Sequence, residues 1–383
     1  MNYKCDIILL SYENPSLLKK CVESVLNDTE VPARLIIVDN GSRDRKVAEY
    51  LQSVKGSKTV SVEKVLSPDN AGFAAGMNKG LKLSNAPYVC LLNNDCVVTP
   101  GWLGEMIEIA SSSGEIGLVN PQSNTFGSRP DGSASVREHA ELLRYRESSY
   151  TELGHAIGFA CLIKREVINR VGFLDEGYAG VCYEDTDYSL RAGKAGYISV
   201  MSERAYVFHM EQASRKGLKG KEKIYERNRR RFEKKWGRLL RVFFLEDRNS
   251  DDKVYMDYSM ALKPMARQRM IVEAWYAGLA PEEEVLGEMR RKGIVRHADV
   301  GLRSVASGTY YLRALFRILF KKKKYDVLIL PERAPLKLFA FFRAVHKARI
   351  LVRGKGYEVR SSDNMLFDLR EPFSMAEWLR EKK

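Results

Sequence analysis

Apolar and polar positions alternate in short blocks along the first half of the chain. "DIILLSY" is an apolar run bounded by polar residues and predicts a strand. In "PSLLKKCVESVLN", Leu17, Leu18, Cys21, Val22, Val25 and Leu26 recur at helical spacing, with Pro15 near the start. "RLIIVDNGS" predicts a second strand, "DRKVAEYLQSV" a second helix and "SVEKVLS" a third strand. "GFAAGMNKGLKLS" reads as a helix opened by Gly72, and "YVCLLNND" as a fourth strand. Strands alternating with helices imply right-handed crossovers and a largely parallel, Rossmann-like sheet flanked by helices: an α/β fold.

Beyond Pro100 the pattern loosens. "GWLGEMIEIASSS" predicts a helix and "IGLVNPQS" a strand, whereas residues 124–153, rich in Ser, Arg and Glu, predict a mobile loop with a short helix. "HAIGFACLIKREVINRVG" gives a strand and a helix stopped by Gly172, "EDTDYSLRAGKAG" a helix with an acidic first turn, and "AYVFHM" a strand ending near His209. From about residue 240 the pattern starts afresh. "APEEEVLGEMRRKG" is helical, and residues 307–352 read helix, strand, helix, strand. The expected organisation is a catalytic domain over 1–242 and a smaller α/β accessory domain over 243–383, since 383 residues exceed one typical core.

Composition excludes several classes. The chain is 45% hydrophobic and 29% charged, and no apolar run approaches the ~20 residues of a membrane span. The N-terminal stretch shows no signal-peptide pattern, so the expectation is a cytoplasmic protein. The six cysteines form no C-x-x-C pair and histidines number five, which argues against zinc and for buried thiols in a reducing compartment. The net charge of +14 favours anionic partners. Much of the excess lies between residues 215 and 241, with 13 Lys/Arg against 3 Glu. This stretch is either a solvated helix face or a contact to phosphate or an anionic membrane surface. No nucleic-acid-binding module accompanies it, so nucleic acid is not expected.

The candidate chemistry stands at the strand ends. In open α/β sheets ligands gather at the carboxyl ends of the strands. There the chain puts Ser11-Tyr12-Glu13, Asp39-Asn40-Gly41-Ser42 and Asn93-Asn94-Asp95. One such Asp is commonly a turn residue; three polar ends on one sheet edge point to a site. Asn93 and Asp95, spaced i, i+2, suit a shared hard cation, Mg²⁺ or Mn²⁺, with the imidazole of His209 acceptable to Mn²⁺. Asp39 suits the N–H of a base or a ribose hydroxyl. The helix start at Gly72 offers backbone N–H groups to a diphosphate. Glu184-Asp185 is either cap-region charge or a general base for group transfer.

These stretches carry a resemblance. "DIILLSYENPSLLKKCVESVL", "LIIVDNGSRD", "NAGFAAGMNKGL", "YVCLLNNDCVV", "IGFACLIKREVINRVGFLDE", "YEDTDYSLRAGKAGY" and "VFHMEQAS" resemble, in order and spacing, the family-2 glycosyltransferases. These are inverting enzymes of the GT-A nucleotide-diphospho-sugar transferase fold. The subset resembled most builds bacterial surface polysaccharides of the cell envelope and includes rhamnosyltransferase-like members. The resemblance implies that Ser11, Tyr12 and Glu13 border the nucleoside and Asp39 binds base or ribose. Asn70, Gly72 and Asn78 would lie along the donor, and Asn93, Asn94 and Asp95 would form the D-x-D element. Asp95 and His209 would hold the metal, Asp185 would be the catalytic base, and Glu184 would place the acceptor. The first D-x-D position is Asn93 rather than an acid, which lowers the charge of the metal shell. The implied donor is a UDP- or dTDP-linked sugar and the acceptor a glycan or lipid-linked hydroxyl, reached at the inner face of the membrane. Two other readings stand beside it. A nucleotidyltransferase would want a basic Gly-rich signature near the N-terminus. A degenerate binding protein would hold sugar nucleotide or glycan without turnover. The tail, from the helix before Tyr325 to Val352, faintly resembles the Rossmann-like half of GT-B glycosyltransferases, without a Gly-rich phosphate loop.

Overall fold

The computed structural model describes residues 2–132, 134–178, 180, 182–210, 221–247, 251–354 and 356–381. The chain divides into two units, Met1–Lys235 and Trp236–Lys383. The boundary expected at 242 falls inside a strand of the second unit, so the division lies several residues earlier.

The first unit runs β1 (Cys5–Ser11), α1 (Pro15–Asp28), β2 (Ala33–Asp39), α2 (Arg45–Ser53), β3 (Val60–Leu66), α3 (Phe73–Leu83), β4 (Tyr88–Asn93), β5 (Cys96–Val98) and α4 (Trp102–Ser111). It continues with β6 (Ile116–Gln122), α5 (Val136–Arg144), β7 (Tyr150–Leu153), β8 (Ala160–Lys164), α6 (Arg165–Val171), α7 (Glu184–Lys194), β9 (Ile198–His209) and α8 (Lys221–Trp236). Its sheet has the order β3-β2-β1-β4-β8-β6-β9-β5, with β7 beside β9. The four strands β3-β2-β1-β4 are parallel. β8 then enters antiparallel to both β4 and β6, so the fold is mixed α/β around a parallel half.

The elements follow from their side chains. Every residue of β1 is buried, as a central parallel strand covered on both faces requires. Ile7 and Leu9 face α1 and α4, while Ile8 and Leu10 face α3. α3 lies unusually close to β1. A Cβ on Gly76 would sit 2.4 Å from Leu10 Cδ1, and one on Gly80 2.4 Å from Ile8 Cγ2. Residues 124–153 are more ordered than the pattern predicts. Ser135 and Glu138 form a capping box that starts α5, and β7 pairs with β9 along its whole length. Five of the six cysteines are buried and all are free thiols.

The second unit contains β10 (Leu240–Glu246), α9 (Asp251–Asp257), a π-helical turn at Tyr258–Leu262, α10 (Lys263–Arg267), β11 (Met270–Ala277), α11 (Glu282–Arg291) and β12 (Val300–Val305). After a 3₁₀ turn at Ser307–Thr309 come α12 (Tyr310–Phe320), β13 (Val327–Pro331), α13 (Leu336–Phe341), α14 (Arg343–His346), β14 (Arg349–Arg353), β15 (Glu358–Ser361), β16 (Leu366–Asp368) and α15 (Phe373–Glu381). Its sheet order is β12-β11-β10-β13-β14-β15-β16, parallel through β14. Among the described residues no helix is long and apolar enough to cross a membrane.

Candidate active site

Parallel register places the polar strand ends side by side. Ser11 pairs with Asp39, and Leu10 with Asn93, so Asp39 stands two strands from the end of β4. That is about 10 Å, the reach of a nucleotide's ribose and diphosphate. Ser11 Oγ is fully buried and has no hydrogen-bond partner. Tyr12, 43% exposed, stands at the rim. Glu13 and Asn14 adopt positive φ, which turns the chain sharply after β1. The Glu13 carboxylate accepts from the backbone N–H groups of Arg43 (3.0 Å) and Asp44 (3.1 Å), tying the loop after β1 to the loop after β2. Asp39 Oδ1 accepts from Ser42 Oγ at 2.5 Å.

The loop after β2 is clamped to the start of α3. Gly41 has φ +78°, and a Cβ there would lie 2.6 Å from the backbone carbon of Asp69. Asn40, 2% exposed, donates to Asn70 Oδ1 and the Gly72 carbonyl and accepts from Ala71 N–H. Asn70 Oδ1 also accepts from Gly72 N–H. Asn40 and Asn70 therefore set the helix start. Asn78 has another task. It is 2% exposed, and its amide binds the Leu174 backbone on both sides and Glu176 Oε1. It holds the segment leading to α7 rather than lying open to a donor.

At the end of β4 the strand stops at Asn93, and Asn94 and Asp95 form a turn. The alternation that suggested a shared side for Asn93 and Asp95 therefore ends there; the turn, not strand register, aims Asp95. β5 then pairs with β9, placing Cys96 opposite His209. Asp95 Oδ1 lies 3.2 Å from His209 Nε2, yet makes no well-directed hydrogen bond, and Asn93 Oδ1 is buried without a partner. Asp95 is 3% exposed. Asn124 fixes the His209 backbone from both sides, and the Phe159 ring stacks on the imidazole with centroids 5.3 Å apart. Asp95, Cys96 and His209 offer ligand atoms within 4.8 Å of one another. Cys96 is a poor member of this set. Burial pushes its thiol up, and it donates to the Phe159 carbonyl. An incompletely satisfied carboxylate, an orphaned amide oxygen and an imidazole fit a hard divalent cation.

The segment Ala156–Ala160 joins Asp185 to this cluster. Asn120 grips it through Ile157 and Ala160, and Ser189 through Ala156 N–H. Gly158 N–H donates to Asp185 Oδ2 at 2.9 Å, and the next residue's carbonyl, that of Phe159, accepts from Asn93 N–H at 2.9 Å. A Cβ on Gly158 would come within 3.1 Å of Asp185 Oδ2, so a side chain there would crowd the carboxylate. Asp185 Oδ1 also accepts from Thr186 N–H at 2.7 Å. Sequence reasoning assigned no role to Asn120, Gly158, Phe159 or Ser189. The hint available was a Gly-Phe before an apolar strand.

Glu184 differs from its neighbour. It is 7% exposed, and its Oε2 has no partner. It lines a cavity of about 20 Å³ walled by Phe73, Leu91, Leu118, Cys161 and Tyr188. Burial, and then the charge of Asp185, raise its pKa from 4.5 to about 8. Burial thus favours the protonated form of Glu184.

The basic stretch is largely spoken for where it is described. On α8, Arg229 and Arg230 pair with Glu226, Arg231 with Asp175, and Lys235 with Asp187 at 2.7 Å. Tyr183, next to Glu184, packs on Phe232 and Tyr225. α8 thus braces the loop before α7. Residues 211–220, the start of that stretch and the end of "VFHMEQAS", lie outside the described residues.

Residues 6–172 match the family model described as glycosyl transferase family 2. The chain carries a family-2 glycosyltransferase domain. Similar proteins include the uncharacterized protein y4gI of Sinorhizobium fredii, 32% identical over 227 residues, 55% of this chain and 25% of that protein. The N-acetylglucosaminyl-diphospho-decaprenol L-rhamnosyltransferase of Mycobacterium tuberculosis is 26% identical over 239 residues, 53% of this chain and 75% of that protein. The uncharacterized glycosyltransferase YibD of Escherichia coli is 22% identical over 335 residues, 82% of this chain and 92% of that protein. The chain thus spans a quarter of y4gI and three quarters of the rhamnosyltransferase. Among solved structures, the mannosyltransferase PcManGT of Pyrobaculum calidifontis, in complex with GDP-Man and Mn²⁺, has a TM-score of 0.44 at 14% identity, covering 57% of this chain and 59% of that one. A likeness of that size carries no weight for this chain.

Proposed function

We propose that this glycosyltransferase moves a sugar from a nucleotide-diphosphate sugar to a hydroxyl acceptor by single displacement, with inversion at the anomeric carbon. The observation that supports it best is the linkage of three groups. Asp95 and His209 stand 3.2 Å apart, and Asp185 is bound to the segment that also receives Asn93 and stacks on His209. Asp39, with Ser42, and Tyr12 at the rim would hold the nucleoside, with Ser11 beneath them. Asn40 and Asn70 keep the α3 start, at Gly72, shaped for the diphosphate. Asp95 and His209, with Asn93 and Asn94 adjoining, would hold Mg²⁺ or Mn²⁺. Bound there, the cation would supply positive charge to offset that of the departing diphosphate.

Asp185 takes the proton from the acceptor hydroxyl. The Gly158 and Thr186 N–H groups orient its carboxylate. Glu184, which burial biases toward its neutral form, would place the acceptor. The donor, a UDP- or dTDP-linked sugar, and the acceptor, a glycan or lipid-linked hydroxyl, complete the proposal. The second unit, over the tail expected to be accessory, would recognise acceptor or partner.

The test is a panel of nucleotide sugars incubated with the full chain and Mn²⁺. Nucleoside diphosphate release is followed, and product configuration is read by NMR. The proposal expects release from one donor class and an inverted anomer. Retention of configuration, or tight donor binding with no release under any acceptor, would overturn it.

A further inference from the structure

We propose that the outer face of α12–α14 is a docking surface for an anionic lipid bilayer. These helices cover one face of the second sheet. Ala314, Leu315, Ile318 and Phe339 point inward and join one buried cluster. The outward stripe of α12 is apolar as well. Leu312, Phe316 and Phe320, spaced four residues apart, are 56%, 56% and 76% exposed. Phe316 and Phe320 stack in solvent with centroids 5.6 Å apart. α14 packs against α12, and the α13–α14 pair adds Leu338, Phe341 and Val345, with Phe341 78% exposed. Single exposed apolar residues are ordinary; an apolar stripe continued from one helix to its neighbour is not.

The charges beside this stripe choose the occupant. Arg313, Lys322, Lys323, Lys324, Arg343 and Lys347 are exposed on the same helices or at their ends. Because α14 packs against α12, the cations after α12 and on α14 belong to adjoining helices. The other cations of α12 are turned inward, Arg317 and Lys321 onto Glu273. The acids between 310 and 347 are Asp326 and Glu332, and Asp326 is paired with Arg238. The outer face therefore combines aromatic side chains with positive charge and almost no negative charge. Phenylalanines that enter the acyl boundary, ringed by Lys and Arg that reach headgroups, match an anionic bilayer. The stretch at 215–241 fits that role less well, because Arg229, Arg230, Arg231 and Lys235 of α8 are held by acids of their own unit.

The experiment is sedimentation of the full chain with phosphatidylcholine vesicles, either pure or mixed with an equal amount of phosphatidylglycerol. The wild type should bind the mixed vesicles at low salt, bind pure phosphatidylcholine weakly, and lose binding as salt rises. The triple variant Phe316→Ser, Phe320→Ser, Phe341→Ser should lose at least about tenfold in partitioning. Lys322→Glu with Lys323→Glu should lose a similar factor, about tenfold. Both variants change exposed side chains and should keep the wild-type unfolding temperature. Charge reversal on α8, Lys223→Glu with Lys234→Glu, should leave binding unchanged. Three results would overturn the proposal. The wild type could stay in the supernatant with anionic vesicles at low salt. The triple variant could bind as the wild type does. Ultracentrifugation could show a dimer that the triple variant dissociates while vesicles bind nothing, making the face an interface between copies.

Discussion

The first sheet winds β3-β2-β1-β4 and the second β12-β11-β10-β13, so in each the chain lays two strands to one side of its first strand and then returns to the other side. In each, the carboxyl ends beside that first strand are where a ligand would gather. The ends are furnished differently. In the second unit, β10 ends at Glu246 and β14 at Arg353, 1% and 4% exposed, and these two pair with each other. Asp257 and Lys253 from α9 join them. The charges answer one another inside the protein, around a cavity of about 80 Å³. In the first unit, Ser11 Oγ, Asn93 Oδ1 and Asp95 Oδ1 are buried without a well-made hydrogen bond. Buried polar atoms are rarely left so unless something else satisfies them. One winding supports both outcomes, so function is read from the side chains and not from the topology.

Substitutions can break this contrast. Asp185→Asn should lower transfer by about 10²–10⁴-fold while leaving donor affinity unchanged, since only the proton acceptor is lost. Single-turnover assays beside a donor titration check it, and near-normal turnover would place the base elsewhere. Arg353→Met should do the reverse. It leaves Glu246 and Asp257 buried with one cation fewer, a loss of about 3–5 kcal/mol of stability in the second unit. Denaturant unfolding would read that loss, with donor affinity at low temperature as the control.

A smaller effect concerns Glu184. Its folded pKa of about 8 lies above the ordinary 4.5, so the fold favours the protonated form. The stability this contributes is complete below about pH 4.5 and is lost as pH rises through about 8. Glu184→Gln cannot ionise. By about pH 9 it should be more stable than the wild type, with little difference near pH 5. Thermal melts across that range decide; parallel curves would mean that Glu184 is not held protonated. Smallest, Gly158→Ala should crowd the Asp185 carboxylate and cost about tenfold in kcat with donor binding kept. An unchanged kcat would remove Gly158 from the positioning of the base.

How far the sequence discloses this arrangement depends on the kind of interaction. β1–β4 and α1–α3 are legible because each buries a clean period of apolar residues. The polar strand ends stand out against it at Asp39 and Asn93. The strand β7 is not legible, since its polar residues are held by backbone pairing to β9 rather than by an apolar face. The aim of Asp95 is also hidden: it depends on a turn after Asn93 and on β5 leaving β4 for β9. Asn78 misleads, because a buried amide on a helix beside the donor region looks the same in sequence whether it faces ligand or backbone. The Ala156–Ala160 segment shows least. Its role lies in main-chain N–H and C=O groups, which every residue possesses.

The most direct test of the account is a Mn²⁺ titration in the presence of a nucleoside diphosphate, comparing the wild type with Asp95→Ala. If Asp95 and His209 hold the cation, the wild type should bind one Mn²⁺ per chain. The variant should lose at least about tenfold in Mn²⁺ affinity, with nucleotide affinity falling in step. Equal Mn²⁺ affinity in the two proteins would contradict the account.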